Sequence, residues 1–235
     1  MAEREHNNET RRAMLTSIRQ QLAASAPFDA VRSEHHPQAK VTDKTGHVAV
    51  AVDGEGGSLV ERFQQALEAV SGNFIAAGSE NEAAQAIQQI IERTKALRIA
   101  VSDSPLAQRI IAQVKSDALV LENAGTPALF DCDAGITGAQ WAIAETGTLV
   151  LESDHERHRL SSLVPRIHIA IVESGRIRQT LGEVLQILSQ QGQEGLSRTV
   201  TFITGPSRTS DIELTLAIGV HGPAELYVIV LKGCG

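Results

Sequence analysis

Two short segments collect the residue types that chemistry needs. Glu145-Thr146-Gly147 lies between the alanine-rich stretch Ala142–Ala144 and the aliphatic run Thr148–Leu151. A carboxylate in such apolar company, if buried, is pushed toward its protonated form and serves as a general base or a nucleophile. The same carboxylate can instead satisfy backbone amides in a turn, for which Gly147 supplies a permissive backbone. In the second segment, Ser207-Arg208-Thr209-Ser210 follows Gly205-Pro206 at the end of the run Val200–Thr204. If a helix opens there, through Ile212, Leu214, Leu216 and Ile218 to Gly219, its free amides join the hydroxyls and one guanidinium. That combination binds a carboxylate, phosphate or pyrophosphate. Ser210 with Glu213 has the spacing of a capping box, but capping gives Arg208 no task.

Other groups carry less. Asp154, His155 and His158 put two imidazoles three positions apart, but no third ligand at a metal-binding spacing follows, so no metal site is expected. His221, before Gly222-Pro223, suits the C-terminal capping of a helix. No GxGxxG follows a strand-like run, and neither a GxxxxGK[ST] loop nor a GxSxG elbow occurs. Cys132 and Cys234 make no CxxC pair and no disulfide framework, and two thiols are too few for an iron–sulfur cluster.

The elements that must position these segments alternate. Apolar positions Ala13, Met14, Ile18 and Leu22 predict an amphipathic helix over Thr10–Ala24, and Pro27–His47 reads as a linker. Residues 1–46 thus form a helical arm and linker, and residues 47–235 a single α/β domain. Within that domain Ser58 with Glu61, Ser79 with Glu82, and Ser104-Pro105 mark three helix starts. Thr180–Ser189 reads as a further helix. Strand-like runs fall at Asn73–Ala76, Arg98–Ser102, Ala118–Leu121, Thr148–Leu151, Ile167–Val172, Val200–Thr204 and Leu226–Leu231. Strands this rich in Val, Ile and Leu are buried on both faces. Alternation with helices predicts an open, mainly parallel sheet covered by helices, with ligands at the carboxyl ends of its strands.

Composition narrows the function. The 235 residues carry 21 Lys and Arg against 28 Asp and Glu, a net charge of −7, and aromatics are only 3%. An acidic chain without a basic cluster or an aromatic platform is not expected to bind nucleic acid. No apolar run reaches bilayer-spanning length, and the polar N-terminus has no apolar stretch of a secretory signal. A cytoplasmic protein is expected.

The blocks AIAETGTLVLES, LSSLVPRIHIAIVE (Leu160–Glu173) and GPSRTSDIELTLAIGVHGPAELYVIVL (Gly205–Leu231) together resemble the LUD-domain family, in its lactate-utilisation protein C branch. The match is strongest from about Gly135 onward and looser from about Val48. The resemblance implies a fold similar to the NagB/RpiA/CoA-transferase-like group. It also implies a cytoplasmic role in oxidising L-lactate to pyruvate beside two partner proteins that hold iron–sulfur clusters, with no cofactor on this chain. Beside a purely structural scaffold whose aliphatic helices and N-terminal arm contact partner subunits, two functions stay open. In one, an accessory or substrate-handling component holds a carboxylate with Ser207, Arg208, Thr209 and Ser210, beside Thr146 and Gly147. In the other, a stand-alone sugar-phosphate isomerase or acyl-CoA transferase uses Glu145 as base or nucleophile.

Overall fold

Hydroxyl caps start the helices where the sequence places them. In α1 (Leu59–Ala69) the Glu61 amide donates to Ser58 Oγ at 3.3 Å, and the Ser58 amide donates back to the Glu61 carboxylate at 2.9 Å. Ser79 caps α2 (Glu80–Thr94), which ends on Lys95 in the left-handed region at φ 56°. Ser104 caps α3 (Pro105–Ile111), with proline in its first turn. The short α4 (Thr126–Leu129) has no side-chain cap. Thr180 caps α5 (Leu181–Gln190). The computed structural model describes residues 58–122, 125–154, 159–191, 197–210, 216–218 and 222–232. The expected helix Thr10–Ala24 and the linker Pro27–His47 lie outside them.

Twelve strands are described. β1 (Asn73–Ala77), β2 (Arg98–Val101), β3 (Leu119–Glu122), β4 (Ala134–Gly138), β7 (Ile167–Glu173) and β12 (Glu225–Leu231) form one sheet in the order β1-β12-β7-β4-β2-β3. All five pairings in it are parallel. β5 (Trp141–Ile143), β6 (Thr148–Glu152), β8 (Ile177–Arg178) and β9 (Val200–Thr204) form a second sheet, ordered β8-β5-β6-β9. β10 (Arg208–Ser210) and β11 (Leu216–Ile218) form an antiparallel pair.

The mainly parallel, aliphatic sheet covered by helices agrees with the sequence, and on one of its faces a second, smaller sheet joins the helical cover. Ile99, Ile136, Ile169 and Ile229 face α2 and α3 through Ile87, Ile90 and Ile110. The alternate residues Ala170, Val172, Val228 and Val230 pack against Phe63 and Leu67 of α1 and against Ala142, Leu149 and Leu151 of the smaller sheet. Beyond that sheet, Trp141, Ile143 and Val150 meet Val184 and Leu188 of α5. Period-two alternation in buried strands thus serves two cores at once.

The described residues of the stretch expected to be a helix after Ser210 are strand instead. Arg208–Ser210 is a strand paired antiparallel with Leu216–Ile218, with Arg208 opposite Ile218. The apolar residues Ile212, Leu214, Leu216 and Ile218 recur every second position, which is the period of a strand rather than of a helix. Arg208–Ser210 are therefore not the opening of a helix, the arrangement that motivated an anion site at Ser207–Ser210.

Candidate functional site

The segments singled out by residue type do meet, at the carboxyl end of α1. Glu145-Thr146-Gly147 closes the β5–β6 hairpin, where the Gly147 amide donates to Ile143 O at 3.0 Å. Gly147 has φ +64°, and a Cβ there would lie 2.4 Å from the Leu67 amide nitrogen. Hydroxyls of Thr146, Thr148 and Thr204 form a chain with 2.7 Å links, joining this turn to the end of β9. From the next turn Arg208 donates to Val70 O at 3.0 Å and to Ser71 Oγ. The Ser207 amide donates to Pro223 O at 2.8 Å. Thr209 and Ser210 supply backbone to the β10–β11 pair.

What these groups do here is hold structure together. Glu145 is exposed, and its Oε1 accepts the Leu181 amide at 3.0 Å, within the first turn of α5. The carboxylate is thus not enclosed in apolar surroundings, and the amide it accepts belongs to α5 rather than to its own turn. The Arg208 guanidinium is spent on the chain end of α1. His155, His158, His221 and Cys234 lie outside the described residues. Cys132 is buried, its thiol donates to Ala128 O at 3.2 Å, and burial pushes its pKa up, away from thiolate reactivity.

A cavity of about 490 Å³ opens elsewhere, at the carboxyl ends of β2, β4 and β7. This is where an open parallel sheet offers its crevice, and the volume falls in the usual range for small-molecule sites. It lies at the far end of β6 from the Glu145 turn, about 13 Å along a five-residue strand. Asp103 follows β2, Gly138 ends β4 with Ala139 after it, and Glu173 ends β7. The smaller sheet contributes Trp141 and Glu152, and Gln191 closes the far side after α5.

Glu152 is the residue the sequence reading did not single out. It ends β6 and is 2% exposed. Its Oε1 accepts the Trp141 indole N–H at 3.2 Å, while Oε2 has no hydrogen-bond partner among the described residues. Its backbone amide donates to the Gln140 side chain at 2.7 Å, so the residue is held at its main chain and at Oε1. Trp141 is held in turn by two cations, with the Arg178 guanidinium 4.6 Å and that of Arg176 5.0 Å from its ring centroid. Arg176 also approaches Glu173 at 3.9 Å. The only sequence cue was a carboxylate closing a run of four buried apolar or hydroxyl residues, where burial of a charge needs a reason.

Among the described residues no group of three His, Cys, Asp or Glu is placed to hold a metal ion. No helix among them is long and apolar enough to cross a membrane.

Comparison with known proteins follows the same sheet. The family model for the LUD domain matches residues 60–231. A lactate utilization protein C from Oceanobacillus iheyensis is 26% identical over 188 residues, 74% of this chain and 79% of that one. A lactate utilization protein C from Deinococcus radiodurans is 45% identical over 101 residues, 42% of this chain. That shorter match spans less than half of the relative, 46% of its length. The crystal structure of a DUF162 family protein from Deinococcus radiodurans superposes with a TM-score of 0.58 at 25% identity, covering 74% of this chain and 96% of that one.

Proposed function

The chain belongs to the LUD domain family, and from that membership we propose that it serves L-lactate utilisation as an accessory, ligand-binding component. In this reading the oxidation of lactate to pyruvate takes place on two cytoplasmic partner proteins whose iron–sulfur clusters accept the electrons. The observation that carries it is the similarity, over most of both chains, to a relative named for lactate utilisation.

The accessory role is preferred to lactate handling on electrostatic grounds. The described lining of the cavity carries the carboxylates of Asp103, Glu152, Asp154 and Glu173 against the single guanidinium of Arg176. Like charges in a crevice walled by low-dielectric protein repel an anion such as lactate. Arg208, the other cation considered for a carboxylate, is bonded to Val70 O and Ser71.

The test is deletion of the gene followed by growth on L-lactate or pyruvate as sole carbon source. Loss of growth on L-lactate alone, restored by the wild-type allele, is expected; unimpaired growth on L-lactate would overturn the reading. Complementation by R208A and E145Q alleles is expected as well. Failure of E145Q, with the protein still folded, would instead favour the stand-alone enzyme.

A further inference from the structure

We propose that the carboxyl-end cavity is a binding site for a small molecule that presents several N–H or O–H donors and carries no negative charge, with Glu152 as its principal acceptor. The argument starts from two acceptors that lack partners. Glu152 is 2% exposed and its Oε2 is unpaired among the described residues, although Oε1 is taken by Trp141 Nε1. Gln191 Oε1 is likewise buried and has no hydrogen-bond partner among the described residues, and both residues line the same space. A buried acceptor without a donor is costly, and an ionised one more so; native proteins keep such groups where a ligand or ordered water supplies the donor. Two of them on residues that line one cavity ask for a molecule with more than one donor.

Volume and charge narrow the class. About 490 Å³ is far more than a bare ion fills, and no three metal-ligating side chains converge among the described residues. Among the described residues the lining carries more carboxylates than guanidinium groups, which disfavours an anion. Arg176 is itself occupied, close to Glu173 and over the Trp141 ring. The stack of Arg176 and Arg178 on Trp141 holds the indole so that its N–H fixes Glu152 Oε1 and leaves Oε2 for the ligand. Amines and polyols share the required donors. The inference rests on the cavity alone and not on the lactate reading, so the binding assay and the growth assay fail independently.

The experiment is ligand-observed NMR on the full 235-residue chain with three probe sets. These are putrescine and spermidine, D-ribose and glycerol, and L-lactate with inorganic phosphate. Binding from the first or second set is expected, and which set responds distinguishes an amine from a polyol. E152Q should weaken that binding by about tenfold or more, the scale of a hydrogen bond to a charged group. Q191L removes the second acceptor without touching Glu152 and should also weaken it, which keeps the test decisive if E152Q does not fold. Binding unchanged in both variants overturns the proposal. So does Glu152-dependent binding confined to the anion set, or no response from amines and polyols at about 10 mM.

Discussion

His168 sits at the centre of the parallel sheet, fully buried, with Nε2 2.8 Å from Thr137 Oγ1 and Nδ1 unpaired among the described residues. Burial holds its pKa down to about 3, against 6.5 for a free histidine. Between those values the unfolded chain binds a proton that the folded chain does not, so stability is complete above about pH 6.5 and drains away as pH falls toward 3. At about pH 5 the loss from this one group is on the order of 2 kcal/mol relative to about pH 7.5. Urea unfolding at the two pH values should show it, and H168Q, which keeps a polar group near Thr137 without titrating, should remove that part of the pH dependence. An equal pH dependence in both proteins would refute this account. Gly147 poses a different residue-scale constraint, because an alanine there meets both a positive φ and the α1 backbone 2.4 Å away. G147A should cost about 2 kcal/mol or more by the same measurement.

At the scale of elements, the start of α5 rests on three acceptors from outside the helical hydrogen-bond ladder. Thr180 Oγ1 takes the Glu183 amide at 3.3 Å, Glu145 Oε1 takes the Leu181 amide at 3.0 Å, and Glu183 returns to the Gln179 amide at 3.0 Å. T180A should therefore lower stability by about 1 kcal/mol. E145A should cost no more than that, whereas E145Q, which preserves an acceptor, should be nearly neutral; thermal melts separate the three. The cap was legible from Thr180 and the helix pattern after it, but the partner at Glu145 was not, since its contact is made across the hairpin. Strands dense in Val, Ile and Leu were readable to within a residue or two, although only the inner ones such as β7 and β12 are buried on both faces, while β3 and β9 are partly exposed. β4 was not readable, since AGITG carries two glycines and a threonine where a core strand usually carries bulk. Its Gly135 is dictated by packing, for a Cβ there would lie 1.8 Å from Ser161 O. Leu216–Ile218, read as helix, also carried a strand signal, as Leu216 and Ile218 stand two positions apart. The cavity was anticipated only as a place, the carboxyl ends of the strands. Glu152 gains meaning from Trp141, Gln140 and Gln191, which only folding brings beside it.

Across the molecule, two sheets share one core layer, and that layer decides how the protein unfolds. Phe63 of α1 is 0% exposed and packs in the cluster that joins Ala170, Val172 and Val228 of the large sheet to Ala142, Leu149 and Leu151 of the small one. Removing it leaves a cavity that both sheets border. F63A should destabilise by about 3–5 kcal/mol, the range for truncating a buried phenylalanine. Trp141 is the sequence's one tryptophan, is 8% exposed, and belongs to the small sheet, so its fluorescence reports that sheet. Far-UV circular dichroism reports both sheets and the helices together. Because the shared layer couples the sheets, the two signals should share a single denaturant midpoint in the wild type, and in F63A both should move down by the same amount. Fluorescence that changes before circular dichroism would mean that the small sheet unfolds by itself. The cavity between the sheet ends would then be lost ahead of the parallel core.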